Sequence, residues 1–243
     1  MTTQTQEISP MVCARSAGVL YLIIIACGIA GEVFVRGGLV VEGDAAATAA
    51  RILGAQGQFR IGFVLDALML LSDVAIAVLF YVLLKPVSAT LALMAAAFRL
   101  TQAAILGMNL LNYYAALLVL GGTVEAAALG SDQQQALASL FLDLHRHGYD
   151  LGLLFFGCSS MILGSLVVRS PRFPALLGYG LIAAGVVYLA GSFIRFAWPE
   201  FATSFEPVYG VSLVAELSFC LWLLFRGVRN VPSGEPSARA VRA

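Results

Sequence analysis

The stretch LDALMLLSDVAIAVLFYVLL, Leu65–Leu84, decides the fold, because its twenty residues are long enough and apolar enough to cross a lipid bilayer. It also carries two acids, Asp66 and Asp73, which lie about 20° apart on a helix and so share one stripe. At a helix centre each aspartate costs about 2.5–3.5 kcal/mol on insertion, whereas each Leu, Ile, Val or Phe contributes about −0.3 to −0.6 kcal/mol. With twelve such apolar residues in the stretch, the helix is borderline alone and needs partners for its acids.

The rest of the chain has the same character. Of its 243 residues, 60% are hydrophobic and 12% are charged, and the mean hydropathy is +0.90. A typical soluble domain has about 25% charged residues. The net formal charge is zero and the basic residues form no run, so nothing indicates a nucleic-acid partner. The composition predicts a polytopic membrane protein whose partner is the lipid bilayer, and it does not identify a protein partner.

We predict an all-α fold, a polytopic transmembrane helix bundle of six spans with short helices in the outer loops. The spans are Ala14–Val35, Gln58–Leu84, Ser88–Leu120, Gly148–Val168, Pro174–Phe196 and Phe205–Phe225. Residues 1–13 are expected to form a cytoplasmic N-terminal segment, 14–229 the bundle, and 230–243 a disordered cytoplasmic tail. The basic residues at the span ends favour one side, which predicts an inner-membrane protein with both termini in the cytoplasm.

Three connections carry local signals. Lys85–Ser88 is short enough for a tight hairpin between the second and third spans. Asp44 precedes a run of alanines and is a plausible N-cap for a short helix. In Ser131–His145 the apolar residues recur at helical spacing, which predicts a separate amphipathic helix that lies on the membrane or caps the bundle.

Three charged residues are predicted to meet near the middle of the membrane. Asp73 and Arg99 each lie eleven residues from the cytoplasmic end of their spans, and Glu216 lies ten residues from its end. At about 1.5 Å of rise per residue, all three are about 15–16 Å deep. Asp73 is expected to be the counter-charge of Arg99, and one of the two carboxyl groups is left over to carry a proton. The alternative is that the pair only holds two spans together.

A second group of ionisable residues is predicted nearer the outer interface. Its acids are Glu32, Asp66 and Asp150, about 25–27 Å from the cytoplasmic ends of their spans. Its cationic or titratable partners, about one turn further out, are Arg60, Arg195 and His147.

A metal site in this outer group is a weaker alternative. His145, His147 and Asp150 offer ligands, but two histidines two residues apart lie on different helix faces. No other tight ligand spacing is present, so we predict neither a metal nor another cofactor.

Several segments resemble a bacterial family of multi-pass membrane proteins catalogued as domain of unknown function 4386. They are ARSAGVLYLIIIACGIAGEVFVRGGLVVEGDAAATAARIL (14–53), FRIGFVLDALMLLSDVAIAVLFYVLLKPV (59–87), LALMAAAFRLTQAAILGMNLLN (91–112), LFLDLHRHGYDLGLLFFG (140–157), RSPRFP (169–174) and ELSFCLWLLFRGV (216–228). The resemblance implies a polytopic inner-membrane protein and transfers no catalytic residue.

Three functions stay open from the sequence. The first is a small transporter, sensor or ligand-binding protein centred on Asp73, Arg99 and Glu216. The second is an intramembrane enzyme that acts on a lipid at the outer leaflet, with acid–base groups or ligands drawn from the outer group. The third is a structural or partner-binding protein. An enzyme is the less favoured of these classes, and no residue is identified as catalytic.

Overall fold

The computed structural model describes residues 9–123 and 126–229, and all regular structure within these ranges is helical. The predicted tail and most of the predicted N-terminal segment lie outside the described residues. The main helices are α1 (Pro10–Ile29), α2 (Ala45–Gly54), α3 (Gln56–Leu84), α4 (Ala89–Leu120), α5 (Ser131–Arg169), α6 (Ala175–Ala197) and α7 (Tyr209–Phe225). Short helical turns occupy Ala126–Ala128, Pro199–Phe201, Ala202–Phe205 and Glu206–Val208.

Six of the described helical segments are long enough and apolar enough to cross a membrane. They are Pro10–Leu39, Gln56–Leu84, Ala89–Leu120, Ser131–Arg169, Ala175–Ala197 and Pro199–Phe225. The predicted all-α polytopic transmembrane bundle of six spans is therefore confirmed. The chain is a multi-pass membrane protein whose exposed apolar side chains suit a lipid environment.

The six spans close into a ring. Along the chain α3 contacts α4, α4 contacts α5, α5 contacts α6, and α6 contacts α7. Helix α1 packs against both α3 and α7, which joins the two ends of the series. Each spanning helix thus has two spanning neighbours, and a polar stripe on its inner face is shielded from lipid.

The first span has an irregular end. Helix α1 begins at Pro10, four residues before the predicted start, and proline suits the first helical turn because its missing N–H would have no partner there. After Ile29 the backbone forms a π-helix over Ala30–Arg36, followed by one α-helical turn at Gly37–Leu39. Single π-helical segments are rare and often mark functional sites.

Two of the predicted local signals are confirmed. The Asp44 carboxylate accepts a hydrogen bond of 2.8 Å from the backbone N–H of Ala47 and so caps α2. At the predicted hairpin, the N–H of Val87 donates to the carbonyl of Leu84 at 2.9 Å, and Ser88 caps α4.

The predicted helix over Ser131–His145 is present, but its predicted separation from the span that starts at Gly148 is wrong. It is continuous with the fourth span and forms the 39-residue helix α5. No proline or positive-φ residue interrupts the polar stretch Leu144–Asp150, and His145 within it finds partners on α4. At 1.5 Å per residue α5 is about 58 Å long, whereas the hydrocarbon core is about 30 Å thick, so the helix projects beyond the membrane.

Glycines allow a close contact between α5 and α6. A Cβ atom on Gly157 would lie 2.9 Å from the Gly185 carbonyl oxygen, and one on Gly164 would lie 2.5 Å from the Gly178 carbonyl oxygen. Both distances are too short for a real side chain. The absence of side chains at these positions therefore lets α6 pack directly against α5.

Candidate functional site

One face of α4 carries the polar side chains that point into the ring. The residues of this face are at most 6% exposed, as their helical spacing predicts: Arg99, Gln102, Leu106, Asn109 and Tyr113. Burial of an arginine and two amides on one helix requires partners on the neighbouring helices. Those partners define a site in the middle of the membrane and a second group nearer one end of the bundle.

Arg99 meets Asp73 of α3 in the middle of the membrane. The Nε–H of Arg99 donates to Asp73 Oδ1 at 2.8 Å, and both residues are at most 2% exposed. The Gln102 amide donates a longer bond of 3.4 Å to the other carboxylate oxygen. The predicted pairing of these two charges is therefore present. Removing one partner from such a buried pair costs about 3–5 kcal/mol, because the remaining charge is left without compensation.

Aromatic rings surround the same guanidinium group. The Cζ atom of Arg99 lies 4.9 Å from the ring centroid of Phe156, 5.6 Å from that of Tyr21 and 5.8 Å from that of Phe80. Rings at these distances attract a cation through their negative faces. Sequence reasoning missed these three residues, since an aromatic side chain within an apolar span does not reveal what it packs against.

Glu216 of α7 is the third predicted member. It is 7% exposed and lies near enough to Arg99 and Asp73 for their charges to interact. Among the described residues, no Arg, Lys or His nitrogen lies within 4.0 Å of its carboxyl oxygens. Its Oε1 atom has no hydrogen-bond partner, and the Tyr188 side chain faces the carboxyl group from α6. Glu216 is thus a membrane-buried carboxyl group without a bonded cation.

Several neighbouring polar atoms also lack partners. In what we name the mid-membrane cluster (Tyr21, Asp73, Arg99, Gln102 and Glu216), the unpaired buried atoms are Tyr21 Oη, Arg99 Nη1, Gln102 Oε1 and Glu216 Oε1. Buried polar atoms in native proteins nearly always have a partner. A small cavity beside Arg99 has space for about one water molecule. The cluster therefore contains unused donors and acceptors that a rearrangement or a very small ligand would satisfy.

Two acids of the predicted outer group, Glu32 and Asp66, bind Arg36, which lies just beyond the predicted end of the first span. Arg36 donates from Nε to Glu32 at 2.7 Å and from Nη1 to Asp66 Oδ2 at 2.8 Å. The spacing of four residues between Glu32 and Arg36 is the one signal that pointed to this contact. Asp66 is 3% exposed, whereas the side chain of Glu32 is 71% exposed.

The π-helix explains how Arg36 reaches Asp66. A π-turn holds one more residue than an α-turn, so it rotates the residues that follow. The backbone carbonyl of Phe34 accepts a hydrogen bond of 2.6 Å from the Gln58 amide, which stabilises this irregular segment. Gly31 leaves the necessary space, since a Cβ there would lie 3.2 Å from both Asp66 Oδ1 and Arg36 Nη2.

The remaining predicted outer residues lie elsewhere. Asp150 of α5 pairs with Arg195 of α6, with 2.8 Å between Oδ2 and Nε. His147 is exposed and its Nδ1 lies 2.8 Å from the backbone carbonyl of Asp143. Arg60 is also exposed and takes part in none of the ion pairs of the described residues. The predicted outer group thus consists of two ion-paired sets, with His147 and Arg60 at the surface.

The two histidines face different surroundings. His145 is buried against α4, where its Nδ1 lies 3.3 Å from the Asn109 carbonyl oxygen, whereas His147 is exposed. Within residues 9–123 and 126–229, no three His, Cys, Asp or Glu side chains come together as they would to hold a metal ion.

Comparison with known proteins assigns the chain to a family. An uncharacterized protein of Archaeoglobus fulgidus is 27% identical over 160 residues, which cover 66% of this chain and 80% of that protein. No solved structure matches the chain. A family model described as domain of unknown function (DUF4386) matches residues 16–227, which include the first span from residue 16 onwards, the other five spans and the three ion-paired sets described above. The chain therefore belongs to the DUF4386 family.

Proposed function

We propose that the protein is a small proton-responsive transporter or sensor whose working part is the mid-membrane cluster. The observation that carries this proposal is the Glu216 carboxyl group, buried within a span with an unpaired oxygen, beside an arginine that is already paired with Asp73. Ionisable groups at membrane depth often mark proton or ion pathways.

The number of charges in the cluster indicates which of its acids is protonated. The cluster holds two carboxyl groups and one guanidinium group, and arginine stays protonated in proteins. Asp73 holds the arginine at 2.8 Å, so Asp73 is the ionised acid in the observed arrangement. An ionised Glu216 would be a second negative charge in a medium that penalises unpaired ions. Glu216 therefore carries the proton.

The charged groups of the cluster also allow an alternative arrangement. Arg99 has an unpaired Nη1 atom and Glu216 has an unpaired Oε1 atom. If Glu216 lost its proton and Asp73 gained one, the guanidinium group would exchange one carboxylate for the other. Asp73 and Arg99 belong to the hairpin of α3 and α4, whereas Glu216 belongs to α7, so the exchange changes the forces between these helices. A proton would thereby bias a two-state equilibrium of the bundle.

The size of the cavity beside Arg99 limits which species can enter the cluster. The cavity beside Arg99 has room for about one water molecule, and its other lining residues are apolar except Ser159. In the observed conformation the smallest species that fits this chemistry is the proton itself. A larger solute would need the bundle to open, which is the change that the exchange of partners would drive.

Proton flux in vesicles tests the proposal. Purified protein is reconstituted with a trapped pH-sensitive dye, a pH step is applied, and valinomycin with potassium cancels the membrane potential. We expect wild-type protein to speed equilibration and the E216Q variant to lose this activity. E206Q is the matched control, because Glu206 is exposed just before the same helix and undergoes the same change from a carboxyl group to an amide. Unchanged flux in a correctly folded E216Q variant would refute the proposed role.

We also propose the orientation that the charge distribution predicts, in the inner membrane with both termini in the cytoplasm. The backbone N–H of Arg229 donates to the carbonyl of Arg172 at 3.1 Å, so two basic segments lie at one end of the bundle. An excess of Arg and Lys favours the cytoplasmic side. A fluorescent protein fused after Ala243 should fluoresce in cells, and an alkaline phosphatase fused there should be inactive. The opposite pair of results would reverse the orientation.

A further inference from the structure

A second small cavity lies beside Asp66, apart from the mid-membrane cluster. Its polar lining residues are Asp66, Asn109, His145 and Tyr149, and its other lining residues are apolar. Asp66 is 3% exposed, and its Oδ1 atom has no hydrogen-bond partner. We propose that this cavity binds a single monovalent cation no larger than a water molecule, either sodium or hydronium.

The charge of the surroundings favours a cation. Arg36 lies between two carboxylates, Glu32 at 2.7 Å and Asp66 at 2.8 Å, which leaves a net charge of about −1 in this group when both acids are ionised. The guanidinium group occupies only the Oδ2 side of Asp66. The unpaired Oδ1 atom is therefore the free end of a negatively charged group within a membrane span.

The donor set favours a hard cation. A carboxylate, an amide and a phenol supply oxygen atoms, which bind hard cations such as sodium. His145 also lines the cavity, and its Nδ1 lies 3.3 Å from both the carbonyl oxygen and the side-chain amide nitrogen of Asn109. Only Asp66 is acidic among the polar lining residues, so the ligands suit a single positive charge better than a divalent ion.

The size of the cavity limits the ligand. It has space for about one water molecule, which an unhydrated sodium ion or a hydronium ion would also fill. The titratable and charged groups that face Asp66 from the packed helices are Cys27, Glu32 and Arg36 of the first span, Tyr113 of α4, and His145 and Tyr149 of α5. Of these, only Arg36 carries a permanent positive charge, and it is already shared between two acids.

Thermal unfolding of the full-length protein in detergent micelles tests the site in two arms. In the first, sodium chloride replaces choline chloride at constant ionic strength and pH. In the second, pH varies in choline chloride without sodium. If the ion is sodium, we expect the unfolding temperature of the wild type to rise with sodium concentration and then level off. If it is hydronium, we expect the unfolding temperature to depend on pH, and D66N should remove that dependence. A response to sodium identifies that ion, and a response to pH alone that D66N removes and D143N retains identifies hydronium.

Variants make the result specific to this cavity. D143N is the matched control for D66N, because Asp143 is an exposed acid on α5. If D66N fails to fold, Y149F removes one oxygen donor while the Arg36 pair stays intact, and it should weaken the apparent affinity roughly tenfold. Y179F, at a 59% exposed tyrosine, is its control. A wild-type protein that responds to neither sodium nor pH, or a Y149F variant with unchanged affinity, would overturn the proposal.

Discussion

Exchange of Arg99 between two carboxylates predicts that the D73N and E216Q substitutions are strongly non-additive. In E216Q an uncharged carboxyl group is replaced by an amide of the same size, and Arg99 keeps its 2.8 Å bond to Asp73. In D73N the arginine loses that bond, and we expect Glu216, whose charge interacts with that of Arg99, to ionise and replace it. In the double variant no carboxylate of the mid-membrane cluster remains, and the guanidinium charge is left uncompensated.

The expected free-energy changes follow from these three situations. E216Q should lower the free energy of unfolding by less than about 1 kcal/mol, since it breaks no ion pair. D73N should cost about 1–2 kcal/mol for the rearrangement of packed side chains. The double variant should cost about 3–5 kcal/mol, the usual penalty for an uncompensated buried charge. Taken at the middle of each range, the double variant therefore exceeds the sum of the single variants by about 2 kcal/mol.

The assay is reversible unfolding by SDS in mixed micelles, followed by tryptophan fluorescence and circular dichroism. All three variants and the wild type are measured at one pH and lipid composition. A parallel cycle with D73N and E206Q is the control, because Glu206 is exposed and lies outside the cluster. That cycle should be additive within about 0.5 kcal/mol. Additivity of D73N and E216Q within the same margin would show that Glu216 is no second partner for Arg99.

Two further predictions concern packing and capping. G164A should destabilise the protein by about 1–3 kcal/mol, because its Cβ would lie 2.5 Å from a carbonyl oxygen of α6. G107A is the control, since a Cβ there meets nothing within 4 Å. A G164A variant as stable as G107A would contradict the close contact. D44A should cost about 0.5–2 kcal/mol through loss of the cap on α2, measured by thermal unfolding, and no loss would contradict the 2.8 Å bond.

The spans and the central ion pair could be predicted from the sequence for simple physical reasons. A bilayer demands about twenty apolar residues from each spanning helix, so the spans are visible as composition. Asp73 and Arg99 flank a tight hairpin and lie equally far from it, so depth alone brings them together. Glu216 comes from another helix, and the closed ring of spans places it near the pair.

Other features could not be predicted, because they depend on the path of the backbone. The π-helix over Ala30–Arg36 rotates Arg36 towards Asp66, and no residue type in that segment requires it. The polar stretch Leu144–Asp150 resembles a loop in composition, yet it continues α5, and its buried residues His145 and Asp150 have partners on the neighbouring helices. The aromatic rings around Arg99 belong to three helices, and no sequence spacing relates them.

The central claim is that Glu216 carries a proton while Asp73 holds Arg99. Infrared spectroscopy of the reconstituted protein tests it directly, since a protonated carboxyl group absorbs at a frequency distinct from that of a carboxylate. At neutral pH the wild type should show a protonated-carboxyl band that E216Q removes and E206Q retains. A wild-type spectrum without such a band, or a band that persists unchanged in E216Q, would contradict the claim.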